Sequence, residues 1–256
     1  MKMGWDMLSK RLLYAVDEEK QTSLIADHYC NGPKFHWITK NIDFEQWKSA
    51  TGPGPSVLWL STPVPYDHGT TDMCAHIVNS AKQGASKTVL HFFRSSEPAA
   101  KCRLVTTLTH TLLLQLVRNT SKEKADSIAV SFLKVLAGRF FERCDTWDFR
   151  VDNSPDDIMN KIMNLPESEI IIEALAQAIT EAGIHKLFII VDDVPGNVAF
   201  WLAKHMTEVR PEPKVLITSR EPPGDGVNIR GMVCIEYNKE RLGLYISASF
   251  SALYRN

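Results

Sequence analysis

Residues 56–78 decide the fold of this chain, and they read SVLWLSTPVPYDHGTTDMCAHIV. Val57–Leu60 is an apolar run of the length expected of a buried strand. Thr62–His68 contains two prolines and precedes Gly69, which indicates a loop. Asp72–Ala81 then places apolar residues at helical spacing. A strand, a loop and a helix in this order form the framework on which phosphate-binding loops are built.

The residues of the loop depart from the phosphate-binding pattern G-x-x-x-x-G-K-S/T, in which a Lys meets phosphate and a hydroxyl binds Mg²⁺. Thr62 stands at the place of the first Gly, and the stretch to Gly69 is about two residues longer than the pattern allows. Gly69 matches the second Gly, Thr70 replaces the Lys, and Thr71 keeps the hydroxyl. Taken alone, this stretch favours an ordinary strand–loop–helix connection.

The composition is that of a globular protein with a core, since 44% of the 256 residues are hydrophobic and 23% are charged. A formal net charge of -1 creates no field that would attract nucleic acid or an anionic membrane. The five cysteines are scattered without metal-ligand spacing, which predicts reduced thiols. No apolar run approaches the ~18 residues that span a bilayer. We therefore expect a cytoplasmic protein without nucleic-acid or membrane partners.

The first fifty residues predict a helical lead-in. Met1–Val16 has the pattern of an amphipathic helix and lacks the apolar centre of a signal peptide. Further elements are predicted as a helix ending at Tyr29, a short strand or extended segment at Phe35–Ile38 and a helical turn around Phe44 and Trp47. Because residues 51–55 read TGPGP, we divide the chain into a lead-in, 1–50, and a core, 51–256.

Beyond residue 55, strands alternate with helices, which is typical of a parallel sheet covered by helices on both faces. The predicted strands are Val57–Leu60, Thr88–Phe93, Leu187–Val191, Lys214–Thr218 and Met232–Tyr237. The predicted helices after Ala81 are Ala99–Arg118, Lys122–Phe141, Ile158–Met163, Glu169–Ala182, Val198–Val209 and Leu242–Leu253. Ligands of such sheets bind at the carboxyl ends of the strands. We therefore expect one polar edge formed by Ser61–Thr71, Asp192–Asp193 and Ser219–Arg220.

The order of these motifs resembles that of fungal STAND-class P-loop NTPases whose NACHT domains are of the nephrocystin-like N-terminal type. Leu216–Arg220 matches the Leu-Ile-Thr-Ser-Arg strand end of that family in full, and Leu187–Asp192 is similar to its Walker B strand. The remaining matches are His36-Trp37-Ile38 with Trp47, Val57–Ser61, Ala75–Val78 and the Phe92-Phe93 pair. The resemblance covers roughly residues 25–250.

The resemblance implies a three-layer α/β sandwich with a five-stranded parallel sheet in the order 5-1-4-3-2. It also implies a nucleotide-controlled switch between a closed state and an oligomeric signalling state, and we expect the chain to end before any winged-helix or repeat region. Two departures concern the mechanism. Thr70 occupies the position of the P-loop Lys, and Pro195 and Gly196 occupy the positions of the acidic pair that follows the Walker B Asp.

By resemblance, ATP or ADP with Mg²⁺ would be held by a small set of residues. The expected nucleotide-binding residues are Gly69, Thr70, Thr71 and Arg220, and the expected Mg²⁺ ligands are Thr71 and Asp192. Asp192 and Asp193 are the candidate catalytic residues, although Asp193 lies out of register with the acidic pair of the family. Two structural alternatives stay open: Asp192 capping the following helix, and Arg220 forming an ion pair with Asp192 or Asp193.

Three functions follow from these residues. The first is a degenerate NACHT domain, a pseudoenzyme that binds nucleotide and hydrolyses it weakly or not at all, because phosphoryl transfer depends on positioning and charge. The second is a nucleotide-free interaction module that associates with intact NACHT relatives or with itself. The third is an active NTPase in which Lys82, Lys87 or His68 supplies the missing charge.

Overall fold

The computed structural model describes residues 5–10, 12, 18–29, 38, 41–49, 55–62, 69–82, 87–94, 104–143, 167–224 and 228–236. Its helices are α1 (Trp5–Ser9), α2 (Glu18–Tyr29), α3 (Ile42–Ser49), α4 (Thr70–Lys82), α5 (Leu104–Arg118), α6 (Lys122–Arg143), α7 (Ser168–Ala182) and α8 (Gly196–Met206). Its strands are β1 (Val57–Ser61), β2 (Thr88–Phe93), β3 (Leu187–Val194), β4 (Lys214–Ser219) and β5 (Met232–Glu236).

The strands form one parallel sheet in the order β2-β3-β4-β1-β5. This is the predicted order 5-1-4-3-2 read from the other edge, so the prediction is confirmed. In the register of the sheet, Val57 of β1 lies opposite Val215 of β4 and Met232 of β5. All five residues of β1 are buried, which explains why its sequence is a continuous apolar run.

Alternate residues of each strand feed two separate cores, one on each face of the sheet. Trp59 of β1 belongs to the core that packs under α5, α6, α7 and α8. Leu58 and Leu60 belong to the core on the other face, together with buried residues of α2, α3 and α4. The result is a three-layer α/β sandwich, as predicted.

The lead-in contributes to both cores. Leu8 and Leu12 are buried on the α6 side of the sheet, and Ile25 and Trp47 are buried on the α4 side. Ile38 is helical and buried, so the strand or extended segment predicted at Phe35–Ile38 is wrong at this residue, and the other three residues lie outside the described ranges. The domain boundary after residue 50 stays a prediction.

Most elements differ from their predicted bounds by one or two residues, and two differences of three residues, at the ends of β3 and α8, have a local reason. β3 continues beyond Val191 to Val194 through a register irregularity, so Asp192 and Asp193 lie within the strand and do not follow it. α8 ends at Met206, whereas the predicted helix continues to Val209 because this residue is apolar. Val209 is buried, but it lies beyond the end of the helix. The helices predicted at Ile158–Met163 and Leu242–Leu253 lie outside the described residues. None of the described helices is long and apolar enough to cross a membrane.

The outer edge of β2 is closed by the amide side chains of two glutamines. The main-chain N–H of His91 donates to Gln115 Oε1 at 2.8 Å, and Gln115 Nε2 donates to the His91 carbonyl at 2.9 Å. Gln21 makes the same pair of bonds with Phe93, at 2.8 and 3.0 Å. Both amides therefore take the place of a missing neighbouring strand, which prevents exposed edge groups from pairing with another chain.

Replacing Gln115 by methionine should lower the free energy of unfolding by about 2 kcal/mol, because two hydrogen bonds to buried main-chain groups are lost. Urea unfolding measures the change. Gln177→Met is the matched control, since Gln177 lies exposed on α7 and methionine is a good helix former. Equal stability of the two variants would contradict the role assigned to the Gln115 amide.

Candidate functional site

The carboxyl ends of the central strands β1 and β4 are joined by hydrogen bonds. The N–H of Thr62, directly after β1, donates to the Ser219 carbonyl at 2.9 Å. The indole Nε1 of Trp59 donates to Ser219 Oγ at 2.7 Å. Because Ser219 ends β4 and precedes Arg220, these bonds set the position from which the arginine side chain leaves the sheet.

The start of α4 is built by one glycine and two threonines. Gly69 has a φ of 71°, which favours glycine, and its carbonyl accepts the N–H of Met73 at 2.9 Å. Thr70 Oγ1 lies 3.5 Å from Thr62 Oγ1, a contact that connects the first turn of α4 to the end of β1. Gly69 therefore stands where a P-loop requires its second glycine, at the amino end of the helix after β1.

The hydroxyl of Thr71 is buried, and none of the described residues is its hydrogen-bond partner. Its residue is 2% exposed, and no partner for Oγ1 is found among the described residues. A buried hydroxyl without a partner costs about 1–3 kcal/mol, and such groups in proteins call for an explanation. Thr71 is the residue that the sequence assigns to Mg²⁺, and its unpartnered oxygen is a ligand of the type that this ion prefers.

Asp192 is fully buried at the point where α4 faces β3 and β4. Its Oδ1 accepts a hydrogen bond from Thr218 Oγ1 at 2.6 Å, and Thr218 Oγ1 accepts the N–H of Asp193 at 2.8 Å. Burial raises the pKa of the Cys74 thiol well above its ordinary value, and the Asp192 carboxylate, to which the thiol is hydrogen-bonded, raises it further. Asp192 does not cap α8: the cap position is Pro195, without a side-chain cap bond.

Asp193 is held by two arginines. Arg220 Nε and Nη2 donate to its two carboxylate oxygens, each at 3.0 Å, in a bidentate ion pair. Arg94 Nη1 lies 3.4 Å from the Asp193 carbonyl oxygen and 3.8 Å from Oδ2. Of the two ion pairs that the sequence left open for Arg220, the structure contains the one with Asp193. The backbone of Asp193 has a φ of 50°, which is uncommon outside glycine.

The structure therefore brings the predicted residues to one edge of the sheet, in two groups. Gly69, Thr70 and Thr71 start α4 beside the end of β1, and Asp192, Asp193 and Arg220 lie at the ends of β3 and β4. Sequence reasoning missed Thr218, Cys74 and Arg94. Arg94 follows β2 directly, so the rule that collected polar residues after strands would have found it.

The lysines proposed to replace the P-loop Lys are not at this edge. Lys82 is the last residue of α4, about 18 Å along the helix axis from Thr70 at 1.5 Å per residue. Lys87 precedes β2, and its Nζ lies 5.1 Å from the ring centroid of Phe188, near the amino ends of the strands and away from their carboxyl ends. Neither lysine is placed to bind phosphate at the start of α4, and His68 lies outside the described residues.

Within the described ranges, no group of three or more His, Cys, Asp or Glu side chains is placed to hold a metal ion. A Mg²⁺ ion bound with nucleotide needs fewer protein ligands, because phosphates and waters complete its octahedron. One hydroxyl and one carboxylate are the usual protein groups in P-loop NTPases. The buried oxygen of Thr71 and the carboxylate of Asp192 fit that donor set.

The chain matches the model of a known family. The family model described as Nephrocystin 3, N-terminal matches residues 34–220, well over half of the chain. The matched range runs through β1 to β4 and ends at Arg220, so it includes every predicted site residue. No curated protein and no solved structure matches the chain significantly.

Proposed function

The chain belongs to the nephrocystin 3 N-terminal family, the nephrocystin-like type of NACHT domain, and from this premise we propose that it is a nucleotide-binding module of signalling or oligomerisation in the cytoplasm. In this proposal it binds ATP or ADP with Mg²⁺ and hydrolyses ATP weakly or not at all. The observation that carries the proposal is the buried hydroxyl of Thr71, which has no hydrogen-bond partner in the described part of the chain and belongs to the first turn of the helix that starts after Gly69.

Each residue of the edge has a role in binding. The main-chain N–H groups at the start of α4, opened by Gly69, donate to phosphate oxygens. Thr71 Oγ1 and Asp192 would hold Mg²⁺, which neutralises phosphate charge when it is bound. Thr70 offers only a hydroxyl where a P-loop has an ammonium group, so its contribution to affinity is smaller than that of a Lys. Arg220 is the residue for the terminal phosphate.

Hydrolysis requires more than this set of residues provides. A cation must stabilise the charge of the transferred phosphoryl group, and an acidic residue must orient the attacking water. Thr70 stands in place of the Lys that would supply the cation, and Pro195 and Gly196 stand in place of the acidic pair. Arg220 is committed to Asp193, which leaves that carboxylate unable to accept a proton from water without breaking a bidentate pair.

A second candidate function is a nucleotide-free interaction module that associates with intact NACHT relatives or with copies of itself. The contacts of the two aspartates favour it. Asp192 already accepts a bond from Thr218, and Asp193 already pairs with Arg220, so both carboxylates have partners without any ligand. In this alternative the family fold is retained for association alone.

Thermal-shift titration with MgATP and MgADP separates the two candidates. A ligand at 100 times its dissociation constant adds about 2.7 kcal/mol to the free energy of unfolding, so the melting temperature should rise clearly. Thr71→Val, which removes the hydroxyl and keeps the shape, should lower the rise to about half or less, because tenfold weaker binding at the same concentration adds only about 1.4 kcal/mol. Thr109→Val is the matched control, because Thr109 Oγ1 on α5 is also buried without a partner among the described residues. No rise in the wild type at millimolar nucleotide would favour the nucleotide-free module.

A further inference from the structure

The Asp193 carboxylate is bound by the guanidinium group of Arg220, which the proposed function assigns to the terminal phosphate. We propose that the Asp193 carboxylate is a built-in competitor of phosphate, an autoinhibitory contact that must open before the Nε–Nη2 edge of Arg220 can bind a polyphosphate. This inference rests on the proposed function and adds its regulation. It concerns Asp193 itself, a residue that lies out of register with the acidic pair of the family.

The geometry of the contact is the one that arginine also uses for phosphate. Nε and Nη2 of Arg220 donate in parallel to Oδ1 and Oδ2 of Asp193, each at 3.0 Å. Planar guanidinium groups bind carboxylate and phosphate through this same fork. While Asp193 holds both donors, the same two donors cannot meet a phosphate oxygen.

The carboxylate and the guanidinium groups of this contact differ in their exposure to solvent. The Asp193 side chain is 3% exposed, whereas the side chains of Arg220 and Arg94 are 57% and 33% exposed. The arginines can therefore be reached from solvent, and the carboxylate between them cannot. A polyphosphate arriving at this edge would meet the guanidinium groups first and would offer more negative charge than one carboxylate.

The backbone fixes the carboxylate in this place. Asp193 lies in the irregular part of β3, with a φ of 50°, and its N–H donates to Thr218 Oγ1 at 2.8 Å. Thr218 also donates to Asp192 at 2.6 Å, so a single hydroxyl connects the competitor to the candidate Mg²⁺ ligand. If a nucleotide binds Asp192 through Mg²⁺, the bond between Asp192 and the Thr218 hydroxyl changes, and with it the bond from the Asp193 N–H to the same hydroxyl. Binding at Asp192 is thereby coupled to release of Asp193.

Neutralising Asp193 tests the proposal. Asp193→Asn keeps the size of the side chain, and asparagine tolerates a positive φ better than most residues. The dissociation constants of pyrophosphate and of MgATP are measured by titration calorimetry on the wild type, Asp193→Asn and the double variant Asp193→Asn/Arg220→Gln. We expect Asp193→Asn to tighten both ligands about tenfold or more, because Arg220 is released, and the double variant to lose this gain.

Glu221→Gln is the charge-matched control, because it neutralises an exposed carboxylate one residue beyond Arg220 without freeing the guanidinium. If Glu221→Gln gained as much affinity as Asp193→Asn, the gain would come from the loss of a negative charge near the site in general. That result would overturn the role of Asp193 as a competitor of phosphate. Asp193→Gly, which accepts the positive φ, replaces Asp193→Asn if that variant does not fold.

The outcomes separate the two proposals. If the wild type binds MgATP through Thr71 and Asp193→Asn binds it equally or more weakly, the competitor is overturned and the proposed function stands. If Asp193→Asn binds and the wild type does not, the competitor is supported, and the proposed binding of nucleotide by the wild type is overturned. If no variant binds pyrophosphate or MgATP, both proposals are overturned.

Discussion

Lowering the pH from about 7 to about 4.5 should reduce the free energy of unfolding by about 5 kcal/mol through two buried histidines alone, at about 1.4 kcal/mol per pKa unit. His91 of β2 is 2% exposed, and neither ring nitrogen has a hydrogen-bond partner among the described residues. Burial, followed by the charge of Lys82, lowers the pKa of His91 from 6.5 to about 3. Burial lowers the pKa of His110 on α5 from 6.5 to about 4.

The direction follows from the two states. In the unfolded chain each histidine takes up a proton near pH 6.5, whereas in the folded protein it stays neutral down to pH about 3 or 4. The unfolded state therefore binds more protons below pH 6.5. The stability that these residues allow is complete above that pH and is lost as the pH falls towards the folded pKa values.

His91→Leu isolates the larger of the two effects. At pH about 4.5 this variant should retain about 3 kcal/mol more of its stability than the wild type retains, because the titrating ring is absent. Urea unfolding over a pH series measures the difference. His185→Leu is the matched control for replacing an imidazole by leucine, since His185 is exposed before β3. A His91→Leu profile parallel to the wild-type profile would contradict the assignment.

Replacing Arg220 by methionine should lower the free energy of unfolding by about 3 kcal/mol, because the buried Asp193 carboxylate loses its bidentate partner. The value is at the lower end for buried pairs, since Arg220 is 57% exposed and Arg94 remains within 3.8 Å of the carboxylate. Asp193→Asn should change stability by less than about 1 kcal/mol, because the arginines that remain can be hydrated. Urea unfolding measures both variants.

The matched control for Arg220→Met is Arg139→Met. Arg139 on α6 also makes a forked contact, with Glu173 on α7 at 2.9 to 3.2 Å, but the Glu173 side chain is 31% exposed, against 3% for Asp193. Exposed pairs contribute little to stability, so this variant should lose clearly less than Arg220→Met. A loss of similar size in both variants would mean that burial of Asp193 is not what makes its ion pair important.

More of the fold than of the candidate site could be predicted from the sequence. Continuous apolar strands such as Leu187–Val191 and the Leu-Ile-Thr-Ser-Arg strand end are local patterns, and the resemblance supplied the sheet order that the structure confirms. The glutamine closures of β2 could not be predicted, because Gln21 and Phe93 are 72 residues apart and an amide gives no signal of its distant partner.

The site residues were predicted individually, but their contacts were not. The sequence predicts that Asp193 follows β3, whereas the strand continues past it through an irregular register, and its carboxylate pairs with Arg220. A bulge of this kind depends on the neighbouring strand, here on the Thr218 hydroxyl that accepts the Asp193 N–H. The ion pair and the strained φ therefore follow from tertiary structure.

The most direct test of retained nucleotide binding is a calorimetric titration of ATP with Mg²⁺ and in the presence of excess EDTA. If Thr71 and Asp192 hold the ion, ATP binds the wild type with Mg²⁺ and binds about tenfold or more weakly without it. Thr71→Val should bind ATP in Mg²⁺ as weakly as the wild type does in EDTA, while Thr109→Val behaves as the wild type. Equal affinity of Thr71→Val and the wild type in Mg²⁺, or no measurable binding by the wild type, would contradict the account.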